Sequence, residues 1–351
     1  MTNPQEPGQE PPLPPELSPR RQAEARGAKR RDRRSRRWRW PRRIVKTLLV
    51  LVVVLVLIGI GTLVWAQTQL QHVDALADYS GRPAAGAGTN WLLVGSDSRD
   101  NLTAEQKQQY HTGSDQGRRT DTIIVLHTGS DGTTLVSIPR DSWVTIPAYQ
   151  GTAAHQSKIN SAFGQGGAPL LVRTVETATG LRMDHYAEIG FAGFVNIVDA
   201  LGGVHICLTA PVKDSKSGAD LPVGCQTLDG QQALAFVRAR YFDPTSDFGR
   251  MKRQQQFLSA LADRFLSADV LLNPFRIYPA MNAVFEALLL SDGTGLLDLA
   301  RLATALNSVS KGDGKELTVP ISTGSYPTPD GEAVLWNKQE AATLFEQLRQ
   351  H

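Results

Sequence analysis

Residues 90–100, "NWLLVGSDSRD", decide the fold class. An apolar run, Trp91 to Val94, opens into a polar turn that holds Asp97 and Arg99. A short apolar run bounded by Gly and polar residues reads as a buried strand. After a hydrophilic stretch, "TDTIIVLHT" (120–128) and "TTLVSIPRDSWV" (133–144) read as two more strands. Each run has a charged cluster at or beside its end: Asp97/Arg99, Arg119/Asp121 and Arg140/Asp141.

Working outward, helical patterns at "PLLVRTVETATG", "FAGFVNIVDALGG" and "LDGQQALAFVRAR" interleave with the strand-like "HYAEIG" and "GVHICL". A long helix is expected from near Phe248 through "RMKRQQQFLSALADRFLSA". Then come a helix at "GLLDLARLATALNSV", a strand "ELTVPIS", and a last helix after Asn337, a plausible N-cap. Alternating strands and helices predict an α/β fold, a mixed central β-sheet sandwiched by helices.

Residues 1–43 contain a Pro/Glu/Gln-rich start and an arginine-dominated stretch, and are expected to be a disordered basic tail. Residues 44–66, "IVKTLLVLVVVLVLIGIGTLVWA", carry no charge after Lys46 and are long enough to cross a bilayer as one transmembrane helix. The charged region before it and the apolar run itself are longer than in a usual signal peptide, which favours an uncleaved anchor over cleavage near Ala66. Basic flanks stay in the cytoplasm, so the rest is expected outside the cytoplasmic membrane. Residues 67–89 read as a membrane-proximal linker and 90–351 as the extracytoplasmic domain.

The chain has 37 Lys+Arg and 34 Asp+Glu, but 14 basic and five acidic residues lie at or before Lys46. The outer part therefore carries 23 basic against 29 acidic residues, a poor footprint for nucleic acid. Cys207 and Cys225 both lie in that part, where an oxidising setting lets them pair. No G-x-S-x-G, Walker, H-E-x-x-H or dinucleotide motif is present, and the seven His lack metal-ligand spacing.

Two constellations carry chemistry. Asp97 and Asp121 at strand ends have the oxygen donors that Mg²⁺ prefers, although a loop Asp more often caps a turn or pairs with a neighbouring arginine. Arg99, Arg118, Arg119, Arg140, Arg238, Arg240, Arg250 and Arg253 have the planar fork that grips phosphate oxygens, although any one of them could be a surface ion-pair partner. Arg250 and Gln254 share one helix face.

"LLVGSDSR", "GRRTDTIIVLH", "SIPRDSWV", "KINSAFGQGG" and "ALAFVRARYFDPTSDFGRMKRQQQFL", in that order, resemble the signature of the LytR-CpsA-Psr family of bacterial cell-wall proteins in its actinobacterial form. The resemblance implies a phosphotransferase that moves a glycopolymer from a polyprenyl-pyrophosphate carrier onto a peptidoglycan hydroxyl, with pyrophosphatase action as a side activity. It implies Mg²⁺, or Mn²⁺ in its place, on Asp97 and Asp121. Arg119, Arg140, Arg238 and Arg240 match the pyrophosphate-binding arginines, and Asp247, Arg250 and Gln254 match polar positions of the same pocket. Arg99 and Asp141 lie inside matching motifs, and Asp141 or Asp247 could take the acceptor's proton. The prenyl chain is expected in an apolar cavity between sheet and helices. The polymer could be arabinogalactan, a teichoic-type polymer or capsule. Residues 100–118 form a longer polar insertion than the family's simplest pattern. A membrane-anchored receptor that binds polyprenyl phosphates or wall polymer without turnover, or a regulatory attenuator, is the alternative.

Overall fold

The computed structural model describes residues 19–97, 103, 105–106, 110, 120–240 and 247–351, without the side chains of residues 19–43, 247 and 248. The chain divides into two compact units at Trp65/Ala66. The first holds most of helix α1 (Pro19–Gln69). Its segment Ile44–Gln69, 26 residues with a mean hydropathy of 3.0, is long and apolar enough to cross a membrane. Residues 19–43 are continuous with this helix; their Ala, Arg, Gln, Glu and Lys lose little side-chain freedom in a helix.

The second unit starts with β1 (Gln71–Val73), β2 (Thr89–Ser96), β3 (Thr120–Gly129), β4 (Gly132–Ile138), β5 (Trp143–Ile146), β6 (His155–Lys158) and helix α2 (Ile159–Thr179). Next come β7 (His185–Ile189), α3 (Phe191–Ala200), β8 (Val204–Leu208), β9 (Val212–Asp214), β10 (Ala219–Leu221), β11 (Gly224–Leu228) and α4 (Gly230–Arg238). It continues through α5 (Asp247–Phe265), α6 (Ala268–Leu271), α7 (Pro274–Ala287), β12 (Leu288–Ser291) and α8 (Leu296–Ser310). Strands β13 (Lys315–Thr318), β14 (Ile321–Thr328) and β15 (Gly331–Trp336) precede α9 (Lys338–Gln350).

Seven strands form the central sheet in the order β1-β12-β7-β2-β3-β4-β13. It is mixed: β2 runs parallel to β7 and antiparallel to β3, and β13 runs parallel to β4. Side chains alternate across a strand, so each strand feeds both faces. Leu92, Val94, Ile123, Val125, Val136 and Ile138 pack with Ile159, Phe163 and Leu171 of α2 and Phe345 of α9. Trp91, Leu93, Ile124, Leu126 and Leu135 face the other way, onto Ala262 of α5, Phe285 of α7 and Leu302 and Leu306 of α8. The result is the helix-sheet-helix sandwich the alternation predicts. A separate cluster joins the hairpins β8–β11 and β9–β10 to α3, α4 and Phe257 of α5.

Three local differences from the sequence reading have physical causes. Helix α2 starts ten residues before "PLLVRTVETATG": Pro169 and Gly167, whose φ is 63°, kink it without ending it. "ELTVPIS" splits into β13 and β14 at Pro320, which has no N–H to give a ladder. Residues 67–89 supply structure to the second unit: β1 edges the sheet, and Arg82 reaches the fully buried Glu176 at 3.1 Å.

Candidate active site at the sheet edge

Asp97, Asp121, Arg140 and Asp141 lie where β2 and β4 end and β3 begins. The register explains why. Gly95 pairs with Thr122 but Ser96 pairs with Thr120, so Asp121 is the extra residue of a β-bulge. The buried Thr120 hydroxyl pins the bulge by donating to the carbonyls of Gly95 (3.1 Å) and Thr122 (2.9 Å). Asp97 follows Ser96 directly and is half-buried beside it. On the other side, Ile123 pairs with Ile138, and extending that register sets Asp121 opposite Arg140.

Arg140 Nη1 binds the Asp121 carboxylate, while its Nε donates to Asp141 Oδ2 at 3.2 Å. Asp141 also forms an ion pair with Lys158 Nζ at 3.3 Å. Burial raises the Asp121 pKa, but the charges of Arg140, Arg250 and Arg240 and the Arg140 hydrogen bond outweigh it and hold the carboxyl below its ordinary 3.8. Asp121 is therefore ionised at neutral pH.

The loop carrying Arg140 and Asp141 is held through its backbone. The N–H groups of Asn160 and Ile159, at the start of α2, donate to the carbonyls of Arg140 (3.1 Å) and Ser142 (2.9 Å). Val334 N donates to the Asp141 carbonyl (2.9 Å), and Trp336 Nε1 to Ser142 Oγ (2.8 Å).

The second half of the site comes from the end of α4, Arg240 just after it, and α5. Asp229 caps α4 with a capping box, and the helix delivers Arg238 in its last turn. Arg238 Nη1 donates to the Tyr110 carbonyl at 2.7 Å, and its guanidinium lies 5.0 Å from the Phe191 ring centre. Arg240 is fixed by its backbone N–H, which donates to Asp214 Oδ2 at 2.6 Å. On α5, Arg250 and Arg253 are buried. Arg253 Nη2 donates to the Ala239 carbonyl (2.5 Å) and Gln254 Nε2 to the Val237 carbonyl (3.3 Å), so both tie α5 to the end of α4.

The structure thus brings Asp121, Arg140, Asp141, Arg240 and Arg250 together and sets Asp97 at the same edge. Arg238 is turned toward Tyr110 and Phe191. Asp247 is the first residue of α5. Arg99, Arg118 and Arg119 lie outside the described residues. Two participants were missed. Lys158 stood within "KINSAFGQGG", a motif that carried the family likeness without its lysine being singled out. Asp214, buried and accepting the N–H groups of Arg240 and Lys216, has no motif around it.

Asp97 and Asp121 would fit Mg²⁺ or Mn²⁺. Their oxygens are the donors such ions prefer, Asp121 is held ionised, and the neighbouring Ser96 Oγ is buried with no hydrogen-bond partner among the described residues. Elsewhere, His205, Cys207 and Cys225 come within 4.8 Å of one another, but the two sulfurs are joined in a disulfide and are not free ligands. A cavity of about 360 Å³ lies between the end of α2 and α9, lined by Trp336, Phe345, Lys338, Glu346 and Arg349 among others. Its charged rim differs from the apolar channel expected for a prenyl chain.

The fold and site together define an α/β sandwich that gathers arginines and an ionised carboxylate at one sheet edge. Residues 66–350 match the LytR_cpsA_psr family, and the chain belongs to that family. It is 43% identical over 303 residues to the probable cell wall biosynthesis protein LcpB of Corynebacterium glutamicum, covering 86% of this chain and 70% of that one. It is 34% identical to the cell wall biosynthesis protein LcpA of the same organism, over 72% of this chain and 54% of LcpA. It is 36% identical to the polyisoprenyl-teichoic acid–peptidoglycan teichoic acid transferase TagU of Enterococcus faecalis, over 54% of this chain and 58% of TagU. The chain therefore spans only just over half the length of the last two. Among solved structures, the LytR-Csp2A-Psr enzyme from Actinomyces oris superposes with a TM-score of 0.60 at 22% identity, covering 80% of this chain and 96% of that one. TagT bound to LIIa-WTA gives 0.55 at 24%, covering 79% and 94%. These structures share the fold.

Proposed function

We propose that this protein is a membrane-anchored phosphotransferase that moves a glycopolymer from a polyprenyl-pyrophosphate carrier to a peptidoglycan hydroxyl. The observation that carries the reading is the Asp121 carboxylate, held ionised by Arg140, Arg240 and Arg250 at the sheet edge of a LytR_cpsA_psr domain. The names of LcpB and TagU support the cell-wall and transferase parts of it.

In such a transfer, the acceptor oxygen forms a bond to the sugar-linked phosphorus while the P–O bond to the prenyl phosphate breaks. The acceptor loses its proton, and prenyl phosphate leaves with the bond's electron pair. Phosphoryl transfer is catalysed mainly by positioning and charge neutralisation. Arg140 and Arg240 would hold the pyrophosphate oxygens, with Arg238 joining them on release from Tyr110. Buried Arg250 adds fixed positive charge where the leaving group gains negative charge. Asp141 would accept the acceptor's proton on release from Lys158. Asp97 and Asp121 would hold Mg²⁺, which when bound supplies further neutralisation of the phosphate oxygens. The apolar helix anchors the enzyme beside its lipid-borne donor, with the N-terminus in the cytoplasm and the catalytic unit outside.

The deciding experiment supplies the purified full chain with a polyprenyl-pyrophosphate saccharide, peptidoglycan and Mg²⁺. Phosphodiester product that requires Asp121 and Arg140 is the expected result. Carrier binding without any product would replace the transferase with a receptor.

A further inference from the structure

We propose that the exposed apolar edge around Leu271, Leu272, Phe275, Tyr278 and Leu297 is a bilayer-docking surface that seats the second unit on the membrane entered by α1. The inference rests on the anchoring reading given above.

Single exposed apolar side chains are ordinary, but a cluster calls for a partner. Leu272 and Phe275 are 82% and 88% exposed, and Leu271 and Tyr278 nearly half so. All four lie within eight residues, "LLNPFRIY". Phe275 and Tyr278 are three apart on α7 and so share a face. The tip is firmly built: Asn273 caps α7 by accepting Phe275 N at 3.0 Å, and Pro274 begins the helix.

The choice of lipid as occupant follows from where the chain is tethered. The last exposed residue of the apolar run is Trp65, and Ala66 is already fully buried in the second unit. Gln67 Oε1 accepts Leu296 N at 3.1 Å, and Leu297 beside it is 75% exposed. Two residues of chain span at most about 7 Å, comparable to the depth of a bilayer's headgroup layer, so Leu297 is confined near the interface. Helix α7 is tied to the same point: Gln71 Nε2 donates to Glu286 O at 3.2 Å, and Ala66 and Leu70 share a core with Met281 and Phe285. Phe275 lies six residues before Met281, about 9 Å along the helix. Tyrosine suits the interface because its ring is apolar and its hydroxyl can stay wet. The ion pairs beside the surface, Asp269 with Arg264 and Arg276 and Asp298 with Arg301, together sum to +1 and do not oppose anionic headgroups.

The test uses the full chain in vesicles of phosphatidylcholine with phosphatidylglycerol, with nitroxide labels at Leu272→Cys or Phe275→Cys and the Cys207–Cys225 bridge intact. Val223→Cys, an exposed apolar position elsewhere on the unit, and Leu55→Cys, in the apolar helix, serve as references. Power saturation compares collisions with oxygen, which concentrates in lipid, and with a water-soluble nickel chelate. The expected result is that oxygen dominates at 272, 275 and 55 and nickel at 223. Nickel dominating at 272 and 275 while oxygen dominates at 55 overturns the docking surface alone. Nickel dominating at 55 overturns the anchor and the surface with it. Protection from both agents at 272 and 275 shows a protein partner and also overturns the proposal.

Discussion

Arg140 and Asp121 meet across the end of the β3–β4 ladder, bonded at positions that the Ile123–Ile138 register sets opposite each other. The same guanidinium reaches Asp141 through Nε, so one side chain links the edge carboxylate to its own neighbour.

That link predicts a large and asymmetric mutational effect. Arg140→Ala should lower the transfer rate by about 10²–10³-fold, the range for removing one donor that stabilises developing charge. Arg140→Lys keeps the charge but loses the fork, and should recover only part of the rate. Single-turnover transfer by the full chain checks both.

The buried pair near the far end of α2 from the site should govern stability without touching chemistry. Glu176 is fully buried and accepts Arg82 Nε, Tyr79 Oη (2.9 Å) and Met183 N (2.9 Å). Burial and then the Glu176 carboxylate push the Tyr79 hydroxyl up to about 12. Glu176→Ala removes the buried counter-charge of Arg82 and should cost roughly 3–5 kcal/mol, whereas a double Arg82→Met, Glu176→Leu variant should cost less. Urea unfolding monitored by circular dichroism separates the two.

The sheet and its two helical layers were legible because the central strands β2, β3 and β4 are runs of apolar residues and the long helices carry a 3.6 period. The site was legible only in halves. Asp121 and Arg140 stand at the ends of recognisable strands, but their meeting depends on a register and a bulge that no local pattern announces. Arg253 and Gln254 look like anion ligands in sequence, yet they also bind carbonyls at the end of α4, a use that only the packing of α5 against α4 reveals. Asp214 and β1 were missed because short edge elements lack periodicity.

Two histidines set an acid limit on stability. His127 is buried with Nδ1 2.8 Å from Asn90 Oδ1, and His185 stacks on Trp91 at 4.3 Å. Burial first, with opposing carboxylates too weak to reverse it, holds both below the ordinary 6.5. The unfolded chain therefore takes up protons first as pH falls, and stability present above about 6.5 drops below it. His127→Asn, which keeps an acceptor or donor near Asn90, should flatten that slope between about pH 7.5 and 5.5 in denaturation midpoints.

The Cys207–Cys225 bridge joins directly paired residues of β8 and β11, 18 apart in sequence. Closing a loop of that size removes unfolded-state entropy worth about 3 kcal/mol. Replacing both with Ser should lower stability by that amount. Since the hairpin packs in the cluster that carries α4, thermal unfolding should begin there, visible as early hydrogen exchange in β8 and β11.

Arg253 should act on the reaction by holding Arg240 in place. Its Nη2 donates to the carbonyl of Ala239, the residue between Arg238 and Arg240, and its side chain is buried. Removing that donor leaves the carbonyl's bond unmade, a loss of about 1–3 kcal/mol, and frees the segment to shift. A shift of Arg240 weakens its grip on substrate oxygens. Arg253→Ala should therefore raise KM for the lipid-linked donor more than it lowers kcat, because the guanidinium that faces the reacting atoms is still present. Arg253→Lys can still donate to the carbonyl and should restore most of the KM. A matched fall in kcat with unchanged KM would instead put Arg253 itself against the reacting phosphate.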